Sequence, residues 1–87
     1  MNILSQDGKI LVNYNNVASL YIQKKYMQYS YPDTWWEIRV MYFITPNATS
    51  YDILATFKDE KECKRVFSEI AKLTGEKKVN FIAVGNI

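Results

Sequence analysis

WWEIRVMYFI, residues 35–44, is the stretch whose reading decides the fold. Trp36, Ile38, Val40, Tyr42 and Ile44 alternate with Trp35, Glu37, Arg39, Met41 and Phe43. Successive side chains of a strand point to opposite faces, so the two sets separate. The first set carries no charge and is expected to face the core. The second carries Glu37 and Arg39 and is expected to face water or a partner. Trp, Met and Phe around one Arg are unusual for a solvated face, and these residue types are enriched at the centres of interfaces. Either a partner covers this row, or the C-terminal segment 79–87 folds over it as a second small core.

The chain on either side completes a small sheet. Asp7-Gly8 lies between Ile3-Leu4 and Ile10-Leu11-Val12, a strong signal for a hairpin closed by a type I′ turn. Tyr14-Asn15-Asn16 reads as a bend, since Asn bonds to nearby backbone. Val17–Ile22 follows as a strand, with Ala18, Leu20 and Ile22 on one face and Ser19, Tyr21 and Gln23 on the other. Its end is expected within residues 24–31. Beyond the turn Thr45-Pro46-Asn47-Ala48, Tyr51–Lys58 returns as a strand. There Tyr51, Ile53, Ala55 and Phe57 point one way, and Asp52, Leu54, Thr56 and Lys58 the other.

A helix is expected over about 59–74. Asp59 with Glu62 three residues on resembles a capping box, and Cys63, Val66, Phe67, Ile70 and Leu73 share one helical face. Glu60–Lys64 and Arg65–Glu69 are opposite-charge pairs one turn apart. Gly75 is placed to supply a left-handed cap. The run Val79–Val84 is apolar on both faces of a strand reading, either a covered strand or an edge through which two chains would pair as a homodimer. The fold class is therefore α+β: a curved antiparallel sheet of 4–6 strands, packed by one amphipathic helix, with a further C-terminal strand.

Composition narrows the function. Eighty-seven residues make one domain, 48% hydrophobic and 23% charged, which is ordinary for a globular chain. The net charge of +2 does not by itself point to nucleic acid. No apolar run approaches the ~18 residues that span a bilayer, and no signal-peptide pattern opens the chain, so no membrane partner is expected. The single cysteine, Cys63, excludes an internal disulfide and fits a reducing, cytoplasmic location. Asn47-Ala48-Thr49 matches a glycosylation sequon, which that location makes a chance match. Asn, Ile, Lys and Tyr are abundant and are served by AT-rich codons, which points to a low-GC bacterium or its phage.

The layout Lys9-Ile10-Leu11-Val12-Asn13-Tyr14-Asn15-Asn16-Val17, then Leu20-Tyr21-Ile22, a strand pair, and Phe57-Lys58-Asp59-Glu60-Lys61-Glu62-Cys63-Lys64-Arg65-Val66 carries a resemblance. It is similar to small uncharacterised proteins of low-GC Gram-positive bacteria and their phages. The resemblance covers residues 3–73 and implies a curved sheet closed by one C-terminal helix, like a pleckstrin-homology half-barrel. This chain departs from that pattern in its aromatic segment, residues 24–36, and its apolar tail, residues 79–87. The resemblance brings no catalytic residues.

The residues point away from catalysis. There is no histidine, which removes the commonest general base and metal ligand. One cysteine makes no zinc site, and Gly8, Gly75 and Gly85 are too scattered for a phosphate loop. Cys63 near a helix N-terminus would have a lowered pKa if it were exposed, but it reads as a small buried hydrophobe. No enzyme activity and no cofactor is expected.

Binding remains. The expected partner-binding residues are Lys24, Lys25, Tyr26, Tyr29, Tyr31, Trp35, Arg39, Met41 and Phe43. The first reading is a protein-binding module, a phage or mobile-element accessory factor acting on a host protein, with anti-defence action on a CRISPR effector as one version. The alternative is a nucleotide or single-stranded nucleic acid stacked on the aromatics of segment 24–39, with lysines meeting phosphate. A third is a structural homo-oligomer.

Overall fold

A computed structural model of the chain describes residues 1–27, 33–43 and 50–87. Tyr29, Tyr31, Ile44 and the turn Thr45–Ala48 lie outside these residues. The strands are β1 (Asn2–Leu4), β2 (Leu11–Asn13), β3 (Val17–Tyr26), β4 (Thr34–Tyr42), β5 (Tyr51–Phe57) and β6 (Phe81–Ala83), with one helix, α1 (Glu60–Thr74). The fold is α+β, as the alternating and helical periodicities require. The strands form two three-stranded sheets, β2-β1-β6 and β3-β4-β5, rather than one curved sheet.

The first sheet begins with the expected hairpin, closed differently. β1 and β2 pair antiparallel, but Ser5 N–H bonds the Ile10 carbonyl at 2.8 Å across a loop longer than two residues. Among the described residues only Gly8 has positive φ, 74°, so Asp7 does not adopt the type I′ geometry. Asp7 instead accepts from the Ser5 hydroxyl at 2.7 Å and from Lys9 N–H at 3.0 Å. Buried Ser5 in turn accepts from Ile10 N–H at 3.0 Å. The bend at Tyr14–Asn16 is a single 3-10 turn capped by the Asn13 side chain.

β6 joins this sheet parallel to β1, in register Ile3 with Ile82. Ile82 and Val84 are buried in the chain's own core. The tail therefore lies beside β1 and does not cover Trp35. Ile82 and Val84 are spent within the fold while Phe81 stays 52% exposed, and a homodimer through 79–84 gains no support from this arrangement.

In the second sheet, β4 is central and its inward set is as the alternation requires. Ile38 and Val40 are fully buried, and Trp36 and Tyr42 pack against the core. The flanking strands depart from simple alternation through two one-residue bulges. On β3, Val17 pairs Tyr42 and Ser19 pairs Met41, so Ala18 is the extra residue. Val17 takes the inner place expected of Ala18, which is exposed. On β5, Ile38 pairs Ala55 but Arg39 pairs Ile53, leaving Leu54 as the extra residue. Ala55 and Phe57 face inward as expected, but Tyr51 and Ile53 turn outward beside Arg39 and Met41. Asp52 turns inward, where it accepts from the Tyr42 hydroxyl at 2.6 Å. Burial and this carboxylate push the Tyr42 phenol up to about 12.

Gln6 joins the sheets at the β5 bulge. Its N–H bonds the Leu54 carbonyl at 2.7 Å, and its side-chain oxygen accepts from Thr56 N–H at 3.0 Å. Part of the β5 edge is satisfied by this one residue. Gly85 passes so close that a Cβ there would sit 2.9 Å from the Gln6 carbonyl oxygen.

α1 lies across the inner face. Asp59 caps it by accepting from Lys61 N–H at 3.1 Å. Glu62 does not close a capping box and pairs with Arg65 instead. Glu60 and Lys64 pair at 2.8 Å as expected. Arg65 reaches the Ile87 carbonyl rather than bonding Glu69. Gly75 ends the helix in a right-handed conformation, φ −83° and ψ −8°, not the left-handed one, because its N–H still reaches the Lys72 carbonyl. Cys63, Val66 and Ile70 are buried, and Phe67 and Leu73 partly so. They join Ile3, Val12, Ile38, Val40, Leu54 and Ile82 in one core, each full burial contributing about 1.5–3 kcal/mol.

Candidate partner-binding face

The side of the β3-β4-β5 sheet away from α1 is built by three rows. Ser19, Tyr21, Gln23 and Lys25 come from β3, Trp35, Glu37, Arg39 and Met41 from β4, and Tyr51, Ile53 and Thr56 from β5. Phe43 follows at the end of the central row, 72% exposed. Tyr21, Trp35, Met41, Phe43, Tyr51 and Ile53 all lie outside the core cluster. α1 packs against the opposite side of the sheet.

The two charges in the row, expected to face water or a partner, are not solvated. Glu37 is 6% and Arg39 8% exposed. One Glu37 oxygen accepts from Arg39 Nε at 2.8 Å and from a terminal nitrogen of the same guanidinium. The other accepts from Trp35 Nε1 at 2.9 Å. The Arg39 guanidinium lies over the Tyr51 ring, 4.2 Å from its centroid. Burial works against its charge, but hydrogen bonds with Glu37 and Tyr21 and the Glu37 carboxylate outweigh it and hold Arg39 above its usual pKa. Both carboxylate oxygens are therefore used, and no buried side-chain polar atom among the described residues lacks a partner. The result is a pre-organised centre, Trp35–Glu37–Arg39–Tyr51, with Met41 and exposed Phe43 beyond it.

Of Lys24, Lys25 and Tyr26, Lys25 alone joins this face. β3 continues through Tyr26, so Lys24, Lys25 and Tyr26 sit on a strand rather than in a loop. Lys25 pairs Trp35 and belongs to the outer face. Lys24 pairs Trp36 on the inner side, its ammonium 5.7 Å from the Trp36 ring centroid and near enough to Glu60 to lower that acid's pKa after Lys64 has done so. Tyr26 pairs Thr34 on Lys24's side and is 71% exposed. The paired lysines therefore diverge to opposite faces, as adjacent strand residues must.

Glu37, Tyr21, Tyr51 and Ile53 belong to the face and were not among the expected residues. Glu37 was legible from its place between Trp35 and Arg39, two residues from each. Tyr51 and Ile53 were not, because only the Leu54 bulge turns them outward.

Cys63 is fully buried, and desolvation, with the Glu60 charge, pushes its thiol up rather than down. Among the described residues no cluster of three or more acids and cysteines could hold a metal. No helix among them is long and apolar enough to cross a membrane. No family model matches the chain, and neither a curated protein nor a solved structure gives a significant match.

Proposed function

We propose that this chain is a non-enzymatic protein-binding module whose partner docks on the outer face of the β3-β4-β5 sheet. One observation carries the reading: six apolar or aromatic side chains, Phe43 and Tyr51 exposed and the others half-buried, lie outside the core on the sheet face away from α1. Exposed apolar patches rimmed by polar residues mark interaction sites, and Trp, Tyr, Met and Arg are the types that anchor them. Glu37 and Arg39 neutralise each other within the face, so Trp35, Met41 and Phe43 present an apolar surface with a fixed polar centre. The absence of histidine and the buried, weakly acidic Cys63 thiol support a role without catalysis. The codon-biased composition and the sequence resemblance favour a cytoplasmic host protein as partner, encountered by a phage or mobile-element factor, with a defence effector one such target.

The nucleic-acid alternative is weaker than its sequence reading. Lys24 and Lys25 point to opposite sides of β3, so they do not form a phosphate-facing pair. Salt-sensitive oligonucleotide binding by the purified chain would revive it.

The test is affinity capture from the source organism with Phe43→Glu and Phe81→Glu variants beside the parent chain. Phe43 and Phe81 are 72% and 52% exposed, so neither change disturbs the core. The proposal expects partners to be lost with Phe43→Glu and kept with Phe81→Glu. Equal capture by all three chains would place the partner elsewhere.

A further inference from the structure

The open edge of β3 is unlike a defended one. β3 is ten residues long and pairs with β4 on one side and, among the described residues, with no strand on the other. Proteins blunt such edges with charges, Pro, bulges or short strands. Here the defences are confined to the ends. The bulge lies at Ala18, and the lysines begin at Lys24. Between them Ser19-Leu20-Tyr21-Ile22-Gln23 carries no charge, no Pro and no bulge. Leu20 and Ile22 pack against the core from this edge yet remain only half-buried.

We propose that a second copy of this chain pairs antiparallel along this window, with the two-fold axis at Tyr21. The window is symmetric about that residue, which fixes the register. Tyr21 meets Tyr21 on the outer face, and Ser19 meets Gln23. On the inner face Leu20 meets Ile22, so each half-buried apolar side chain gains an apolar neighbour across the strands. Lys24 and Lys25 then face Ala18 and Val17 of the other copy, and no like charges are opposed. A register slipped toward the C-terminus sets lysine against lysine, which destabilises a pair. A two-fold contact closes on itself, so the product is a dimer with one continuous six-stranded sheet, not a fibre. The two outer faces become one surface, with a Trp35–Arg39 centre on each half. The dimer stands or falls independently of what binds that surface.

The test uses the whole chain in sedimentation velocity over a concentration series. The parent is expected at twice the chain mass. Ser19 and Gln23 are both exposed and face each other across the axis, so Ser19→Lys with Gln23→Lys opposes two lysine pairs and is expected to give the monomer mass. Ser19→Glu with Gln23→Lys replaces both clashes by opposite charges and is expected to restore the dimer. Circular dichroism reports whether each variant is folded. A parent chain that stays monomeric overturns the proposal. So does a dimer that survives the paired lysines, or a folded Glu/Lys chain that fails to dimerise.

Discussion

Replacing Arg39 by alanine is expected to cost the fold far more than an exposed strand arginine would. Both members of the Glu37–Arg39 pair are less than a tenth exposed, and the carboxylate draws two of its three hydrogen bonds from the guanidinium. Arg39→Ala leaves the Glu37 charge buried with only the Trp35 indole N–H. Breaking a buried pair in this way costs ~3–5 kcal/mol, against ~0.2–1 kcal/mol for a surface pair. An 87-residue chain has roughly 4–13 kcal/mol in total at ~0.05–0.15 kcal/mol per residue, so the variant sits near the edge of folding. In urea, with a slope of ~1–1.5 kcal/mol/M for a chain of this size, the midpoint is expected to fall by about 2 M or more, with the slope unchanged. Glu37→Gln in the Arg39→Ala background is expected to recover part of the loss. The amide is neutral and its oxygen still accepts from Trp35. A loss under about 1 kcal/mol for Arg39→Ala, or a further loss on adding Glu37→Gln, would refute the burial of this pair. Arg39 is accordingly a poor probe of binding, because its removal acts on stability first.

Three further outcomes follow from particular contacts. Gly85→Ala drives a Cβ to 2.9 Å from the Gln6 carbonyl and should cost ~1–3 kcal/mol by overpacking. Gly75→Ala meets only ordinary contact, 3.5 Å from the Lys72 carbonyl, in a right-handed conformation, and should gain ~0.4–1 kcal/mol. Thermal or urea midpoints distinguish the two, and equal effects would contradict both placements. Tyr42 gives a pH signature. Its phenol is raised from 10.0 in the unfolded chain to about 12 in the fold, so its contribution is intact below pH 10 and is lost as pH rises toward about 12. Tyr42→Phe should remove that part of the alkaline loss of stability. An unchanged pH profile would mean that the Tyr42–Asp52 bond is not maintained.

Periodicity made the frame legible and bulges hid the details. Trp36, Ile38 and Val40 alternate over an uninterrupted strand, so their burial was readable. Cys63, Val66 and Ile70 were readable for the same reason at helical spacing. One extra residue at Ala18 and another at Leu54 reversed parity on the two flanking strands, and no local signal in either position announces a bulge. Gly75 looked like a left-handed cap because glycine commonly is one, but here the final turn stays right-handed. Glu37 and Arg39 read as facing water or a partner because each is charged. Their pairing on one face, two residues apart beside Trp35, lets both be buried together. Gln6 gave no sign of its role, since bonding the bulged edge of β5 in the other sheet depends on tertiary placement alone.

The central claim, that the partner sits on the outer face of the β3-β4-β5 sheet, is tested most directly by site-specific cross-linking. A photo-reactive phenylalanine is placed at position 43, and separately at position 81 on β6, and irradiated in cells of the source organism. Adducts to one discrete protein from position 43 and none from position 81 are the predicted result. Adducts from position 81 with none from position 43 would contradict it.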